Sequence, residues 1–144
     1  MTDQENGNLL YEEALRFVNR RFPRGWGGCD AMMTEQGKLL LSVALESFNG
    51  SAGLCMETGA MCQAQKENLK ITHTLCISRD APGDTPVILT PCGICQERLM
   101  YWGKGVKAAV TNPENRILFR TLEALAPCHW ADAFPEEEQE HSFV

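Results

Sequence analysis

Two short cysteine-containing stretches place the strongest constraint on this chain. Cys55 stands two residues before Glu57 in the sequence Cys-Met-Glu, and Pro91 precedes Cys92 and Cys95 in the sequence Pro-Cys-Gly-Ile-Cys. Both stretches lie at predicted helix starts, where the partial positive charge of a helix favours a thiolate over a thiol. Cys92 and Cys95 are three residues apart, so their sulfurs point to one side of a helix. With Cys55 they predict a tetrahedral metal site that keeps one position open, as catalytic zinc sites do.

The cysteine count favours metal chemistry over disulfides. The chain has seven cysteines, an odd number that cannot be fully paired within one chain. Its opening residues do not resemble a secretory signal, so an oxidising compartment is not expected. The four cysteines outside the two motifs are interpreted as small buried apolar residues. These are Cys29, Cys62, Cys76 and Cys128.

A closed structural zinc site is the main alternative, and it needs a fourth ligand. Cys62 is excluded if it shares a helix with Cys55, because seven residues of helix rise by about 10 Å. Cys128 and His129 stay open as fourth ligands, since their spacing does not exclude them. Neither a closed site nor a thioredoxin-like pair explains Glu57 beside Cys55.

Composition and charge limit the class of partner. The chain of 144 residues has 13 basic and 19 acidic residues, a net charge of −6. This balance disfavours a nucleic-acid-binding protein, which depends on clustered Lys and Arg. Without an apolar run of membrane-spanning length, no membrane association is expected and a cytoplasmic protein is predicted. The length favours a single domain over residues 1–144, with unstructured, flexible ends at 1–8 and 136–144.

Hydrophobic periodicity predicts alternating helices and strands. Helices are expected near 9–21, 54–66, 90–103 and 121–125, and strands near 31–33, 38–43, 72–78, 106–111 and 116–119. Thr90 and Pro91 are interpreted as the N-cap and first residue of the third helix. This order favours an α/β fold, in which helices cover both faces of a mixed sheet.

The two motifs in this order resemble the signature of the cytidine deaminase family, in its small branch with three cysteine ligands. The resemblance extends over 34–47, 51–60, 90–99 and 121–134. It implies a three-layer cytidine-deaminase-like fold with a five-stranded mixed sheet, and often a homo-oligomer, with a tetramer favoured. It also implies a zinc ion (Zn²⁺) on Cys55, Cys92 and Cys95, and hydrolytic loss of ammonia from a cytosine nucleoside. Glu57 would then carry protons to the ring nitrogen and the leaving amine.

The resemblance also assigns candidate substrate-binding residues, and here the chain departs from the family pattern. The family has an Asn-x-Glu motif that holds the ribose, whereas this chain has Ala44-Leu45-Glu46. Trp26 stands where the family has an aromatic residue against the base, although an ordinary core aromatic residue is equally compatible with its sequence. Two family arginines near the zinc are replaced by Thr58 and Gln96, and Arg98 is the candidate for compensating them.

These departures leave other functions open. A cytosine nucleoside modified at the sugar, such as blasticidin S, is an alternative substrate because Ala44 cannot replace the amide of the family asparagine. A relative that binds zinc and a ligand without turnover is a second alternative, which the presence of Glu57 disfavours. A deaminase of polynucleotides is disfavoured by the net charge of −6.

Overall fold

Helices and strands alternate along the chain, and the strands form one mixed sheet. The computed structural model describes residues 1–134. The helices are α1 (Asp3–Arg21), α2 (Thr58–Glu67), α3 (Gly93–Leu99) and α4 (Leu122–Leu125). The strands are β1 (Gly27–Thr34), β2 (Leu39–Ser42), β3 (Ile71–Arg79), β4 (Val87–Leu89), β5 (Lys107–Ala109) and β6 (Phe119–Thr121). Single turns of 3-10 helix lie at Gly50–Ala52, Met100–Trp102 and Trp130–Ala133. None of the helices in residues 1–134 combines the length and hydropathy needed to cross a membrane.

The sheet has the order β2-β1-β3-β5-β6, and β4 pairs with β3 outside this path. β1 is antiparallel to both β2 and β3, whereas β3 and β5 are parallel. β4 and β5 pair with different halves of β3. The mixed α/β architecture is confirmed, but the described sheet has six strands rather than the predicted five. The additional strand β4 lies between a turn-rich loop and α3, and it is only three residues long.

Two hydrophobic cores lie on opposite faces of the sheet, so helices cover both faces as predicted. Side chains alternate along β1. Cys29, Ala31 and Met33 pack with Leu10, Ala14 and Val18 of α1 on one face. On the other face Met32 packs with residues of α2, α3 and α4. All eight residues of β1 are buried, because the strand is central and covered on both sides.

The N-terminal prediction is wrong, since α1 begins at Asp3 rather than after residue 8. Thr2 and Glu5 form a capping box that satisfies backbone N–H groups at the start of the helix. Asn6 and Gly7 in the same turn are buried. The predicted acidic end at 136–144 lies outside the described residues.

Two helices begin later than predicted because their first residues form other hydrogen bonds. α2 starts at Thr58 because Leu54 pairs with Leu45 in an isolated β-bridge. α3 starts at Gly93. The Thr90 hydroxyl accepts a hydrogen bond from the Thr111 backbone N–H (2.8 Å) instead of capping the helix.

Candidate metal centre and catalytic site

Three cysteine sulfurs meet where the starts of α2 and α3 face each other. Cys55 lies in the turn before α2, Cys92 is the N-cap of α3, and Cys95 lies in its first turn. Their Sγ atoms all lie within 4.8 Å of one another, and the Sγ atoms of Cys55 and Cys92 are 3.5 Å apart. The fold therefore brings together the three sulfurs that the two motifs single out.

The spacing of these sulfurs fits one tetrahedral metal ion. Ligands at the usual zinc–sulfur distance of about 2.3 Å in a tetrahedron lie about 3.8 Å from each other. Among residues 1–134 the cluster has three members, and no fourth His, Cys, Asp or Glu lies within 4.8 Å of all of them. Three ligands on a tetrahedral ion leave one position open.

The residues considered as a fourth ligand lie outside the sulfur cluster. Cys62 is exposed on α2, whose buried residues are Ala60, Met61 and Ala64. Cys128 is also exposed, so the interpretation of Cys62 and Cys128 as buried residues is wrong, whereas Cys29 and Cys76 are buried as predicted. The Nε2 atom of His129 lies 2.6 Å from a carboxylate oxygen of Glu97.

The surroundings of the three thiols differ. A hydrogen bond from the Cys95 backbone N–H is the main reason why the pKa of the Cys92 thiol is lowered. Burial, followed by the neighbouring Glu57 carboxylate, raises the pKa of the Cys95 thiol. The Cys92 thiol and partial burial raise the pKa of Cys55. Thiols this close can all ionise only when a cation offsets their charge, so this donor set suits a metal ion.

Glu57 lies beside the sulfur cluster with its carboxyl buried. The residue is 5% exposed, and its Oε2 atom lies 3.2 Å from the Sγ atom of Cys95. Glu57 is the N-cap of α2, yet its side chain makes no capping hydrogen bond. The carboxyl is therefore directed to the cluster and not to its own helix.

Ser42 at the end of β2 fixes the turn that presents Cys55 and Glu57. Its hydroxyl donates a hydrogen bond of 2.5 Å to the Met56 carbonyl. A Cβ at Gly59 would lie 2.9 Å from the Ser42 Cβ, so glycine allows α2 to approach β2 this closely. The sequence analysis did not single out Ser42, and a lone serine at a strand end gives no signal that would have identified it.

Comparison with solved structures identifies the family. No family model matches the chain. The structure of the cytidine deaminase from Bacillus anthracis is 39% identical, and the match covers 95% of this chain and 97% of that chain with a TM-score of 0.90. The chain belongs to the cytidine deaminase family. Cytidine deaminases from Mycobacterium leprae and Burkholderia pseudomallei, at 20% and 16% identity, share its fold with TM-scores of 0.66 and 0.67. They match over 85% of this chain and 98% of their own.

Residues 44–46, which the resemblance assigns to the family's Asn-x-Glu motif, lie next to the turn that carries Cys55. Leu45 exchanges two backbone hydrogen bonds with Leu54, the residue before Cys55 (3.1 and 3.0 Å). Ala44 is half-buried and Glu46 is exposed. The structure therefore places this departure from the family pattern beside the candidate site.

Trp26 lies close to the same turn. A Cβ at Gly28 would lie 2.7 Å from the Met56 sulfur and 2.8 Å from the Trp26 ring, so both side chains pack over this glycine. Trp26 is 44% exposed, which is more than a core aromatic residue shows. Its exposed ring borders the residue between Cys55 and Glu57.

Arg98, the candidate for compensating the missing family arginines, is bonded to Thr58, one of the two residues that replace them. Its Nη1 atom donates a hydrogen bond of 3.0 Å to the Thr58 hydroxyl, which links α3 to the start of α2. Gln96 instead donates to the Pro91 carbonyl (2.8 Å) and so supports the loop before Cys92. The guanidinium group of Arg98 therefore contacts the residue that follows Glu57 in the sequence.

A second buried cluster lies below Glu57, and the sequence analysis missed it. Oxygens of Asp30 and Glu57 and the Cys76 sulfur all lie within 4.8 Å of one another. Asp30 is directly opposite Ser42 on one neighbouring strand and Cys76 on the other, so the three side chains form a row on one face of the sheet. The available signal was an acidic residue between Cys29 and Ala31, but the strand was predicted to begin at 31.

Proposed function

We propose that this chain is a zinc-dependent deaminase of a cytosine nucleoside, with cytidine or deoxycytidine as the first expectation. The observation that supports it most is the Glu57 carboxyl, buried and 3.2 Å from the Cys95 sulfur at a three-thiol cluster. A structural zinc site has no use for a proton-carrying group in this position. The 39% identity to a cytidine deaminase supports the same reaction.

Cys55, Cys92 and Cys95 are the proposed ligands of the zinc ion. When bound by three protein ligands, zinc keeps one position for water and lowers the pKa of that water. Cys92 and Cys95 are fixed by α3, whereas Cys55 depends on the turn held by Ser42. The proposed ligands thus come from two elements, the turn before α2 and the start of α3. The Ser42 hydrogen bond fixes that turn, and the Arg98–Thr58 hydrogen bond links α3 to α2.

Glu57 is the proposed general acid and base. Its carboxylate would take one proton from the attacking water and pass it to the ring nitrogen. It would then take the second proton from the same oxygen and pass it to the amine, which leaves as ammonia while that oxygen becomes the ring carbonyl. The burial of Glu57 removes competing bulk water, which strengthens each of these hydrogen bonds.

Trp26, Ala44 and Glu46 are the proposed contacts of the substrate. The exposed face of Trp26 offers a surface for the pyrimidine ring, and Glu46 offers acceptors for sugar hydroxyls. Ala44 offers only a methyl group. This favours a second candidate substrate class, cytosine nucleosides modified at the sugar, such as blasticidin S.

Exposed apolar side chains near the site support the expected homo-oligomer. Phe48 is fully exposed, and Leu45, Leu54 and Ile94 are 56%, 40% and 61% exposed. Apolar groups gathered in one region are typical of a protein–protein interface. Sedimentation of the purified chain as a monomer at micromolar concentration would contradict this part of the proposal.

Ammonia release from a panel of cytosine compounds tests the proposed function. The purified protein is loaded with zinc and incubated with cytosine, cytidine, deoxycytidine and sugar-modified nucleosides. We expect release from at least one nucleoside, and none from free cytosine. A zinc-loaded protein that releases ammonia from no compound would contradict the proposal.

Glu57→Gln is the matched control, because glutamine keeps the size of the side chain but cannot transfer protons. General acid–base catalysis contributes about 10²–10⁴-fold, so turnover is expected to fall by at least that factor. Zinc content, measured by metal analysis, is expected to stay unchanged. A variant with near-normal turnover would remove Glu57 from the mechanism.

A further inference from the structure

Asp30 is a buried acid that the proposed mechanism does not use. It lies in the middle of β1, is 0% exposed, and shares a sheet face with the apolar Met32. The Thr74 hydroxyl donates a hydrogen bond of 2.7 Å to its Oδ1 atom. Its Oδ2 atom is buried and has no hydrogen-bond partner among residues 1–134. A buried oxygen without a hydrogen-bond partner destabilises the folded state, so an acidic side chain at this position needs a functional or structural explanation.

A carboxyl oxygen of Asp30 belongs to the cluster with Glu57 and Cys76, in which one ligand atom of each residue lies within 4.8 Å of the others. Both carboxyls are buried, and the hydrogen bonds among residues 1–134 give neither of them an Arg, Lys or His partner. A carboxyl that keeps its proton in such a dry interior can donate a hydrogen bond to a second carboxyl at this distance.

Asp30 is the more deeply buried of the two carboxyls, and burial disfavours its charged form. Burial and the Glu57 carboxylate raise its pKa well above the usual value, and the Thr74 hydrogen bond offsets only part of this effect. The other titratable groups near Asp30 are the Cys76 thiol in the same cluster and the Cys29 thiol on the opposite face of the sheet, and burial keeps both neutral by raising their pKa.

We propose that Asp30 is a positioning residue for Glu57: its neutral carboxyl, anchored by Thr74, donates the proton on Oδ2 to the Glu57 carboxylate and fixes that side chain against the Cys95 sulfur. The proposal rests on the proposed function. The proton stays on Asp30 throughout, so no bond is broken in this role. Without it, the Glu57 carboxyl would be free to turn from the reacting atoms.

Kinetics of two Asp30 variants test the positioning role. Asp30→Asn keeps an N–H donor toward Glu57 and an acceptor for Thr74, so we expect kcat within about threefold of the parent protein. Asp30→Ala removes the donor. Misplacement of a catalytic group by about 1 Å can cost 10²-fold, so we expect kcat to fall about 10–100-fold with KM within twofold.

Cys29→Ala is the matched control for lost packing. Cys29 is the neighbour of Asp30, is equally buried, and faces α1 on the other side of the sheet. Its replacement should lower stability but leave kcat unchanged. Equal kcat in Asp30→Ala and the parent protein, or an equal loss of kcat in Cys29→Ala, would overturn the proposal.

The retained proton has a readout that does not depend on activity. A group whose folded pKa is raised gives stability that is complete below its unfolded pKa and is lost as pH rises. Above about pH 4, the unfolding equilibrium constant of the parent protein should therefore rise relative to that of Asp30→Asn, by up to tenfold per pH unit. Denaturant unfolding of both zinc-loaded proteins between pH 5 and 8 measures this ratio. A constant ratio would overturn the proposal.

Metal analysis separates positioning from metal binding. We expect one zinc per chain in the parent protein and in Asp30→Asn. Two zinc ions, one of them lost in Asp30→Asn, would make Asp30 a ligand and overturn the proposal. If the parent protein deaminates nothing, the proposed function fails, whereas an active parent with normal kcat in Asp30→Ala contradicts only this inference.

Discussion

The three sulfurs differ from the remaining cysteines by position and not by burial alone. Cys92 and Cys62 are both exposed, and Cys95 and Cys29 are both completely buried. In the sequence, only their positions relative to Glu57 and Pro91 distinguished the three metal-binding candidates from the other four cysteines. The sequence did not reveal that Cys62 is exposed, because its exposure depends on which face of α2 packs against the sheet.

Serine variants of the cysteines test the metal site. Cys55→Ser and Cys92→Ser each remove one thiolate from a three-ligand site, so we expect loss of most of the zinc after dialysis against a weak chelator. Cys62→Ser is the control and should keep one zinc per chain. A loss at Cys62 or Cys128 equal to that at Cys92 would contradict the three-ligand site.

Ala44 tests the substrate class. A buried sugar hydroxyl without its partner costs about 1–3 kcal/mol, which corresponds to about 5–150-fold in affinity. Ala44→Asn should therefore raise kcat/KM for cytidine and lower it for a bulkier sugar-modified nucleoside, if the natural substrate is of the second class. Steady-state ammonia release measures both. No change for any compound would show that position 44 does not face the sugar.

The elements that hold the site are the starts of two helices and the end of one strand. Their existence was predictable from hydrophobic periodicity, but their first residues were not. Leu54 and Thr90 form hydrogen bonds with residues distant in sequence, and these bonds replace the predicted helical turns. Periodicity contains no information on such partners, so boundaries shift while the elements persist.

Ser42→Ala tests how β2 supports the site. Alanine keeps the Cβ that packs on Gly59 but removes the hydrogen bond to the Met56 carbonyl. We expect a loss of about 0.5–1.5 kcal/mol in the free energy of unfolding. Because the bonded turn places both Cys55 and Glu57, kcat should fall by about tenfold, within the range that misplacement causes. Urea unfolding and steady-state kinetics measure the two effects.

Ser78→Ala is a control for this variant, since Ser78 is a half-buried serine in β3. It should leave kcat unchanged. A Ser42→Ala protein with lower stability and unaltered kcat would mean that the turn keeps its geometry without the hydroxyl.

At the scale of the whole molecule, Asp3 ties the start of α1 to the sheet. Its carboxylate oxygens lie 2.8 Å from His73 Nε2 in β3 and 2.7 Å from Lys107 Nζ in β5. The polar composition of residues 1–8 suggested an unstructured end, because the partners of Asp3 are 70 and 104 residues away in sequence. The mixed sheet and its two covered faces, in contrast, were predicted from the alternation of helices and strands and from the family resemblance, whereas the order of the strands was not.

Asp3→Asn tests this tie through the pH dependence of stability. The Lys107 hydrogen bond, followed by that of His73, lowers the pKa of Asp3 below 3.8. A lowered folded pKa gives stability that is present above the unfolded pKa and lost as pH falls through the folded value. We therefore expect Asp3→Asn to cost about 0.5–1 kcal/mol at pH 7, and the difference to shrink as pH falls below the usual aspartate pKa of about 4.

Thermal unfolding at several pH values measures this difference. Glu12→Gln, the same change of charge at an exposed position of α1, is the control and should have little effect at any pH. An Asp3→Asn protein as stable as the parent at pH 7 would show that the tie contributes nothing.

The complete burial of β1 between two paired strands has a consequence for motion. Amide protons of such a strand exchange with solvent only when the whole domain opens, whereas loops exchange through local fluctuations. Asp30 is part of this strand, so the backbone beneath Glu57 belongs to the slowest-exchanging part of the molecule. The part of β1 that supports the site therefore loses its hydrogen bonds only when the whole domain unfolds. Heating would disrupt it in the same transition that unfolds the chain.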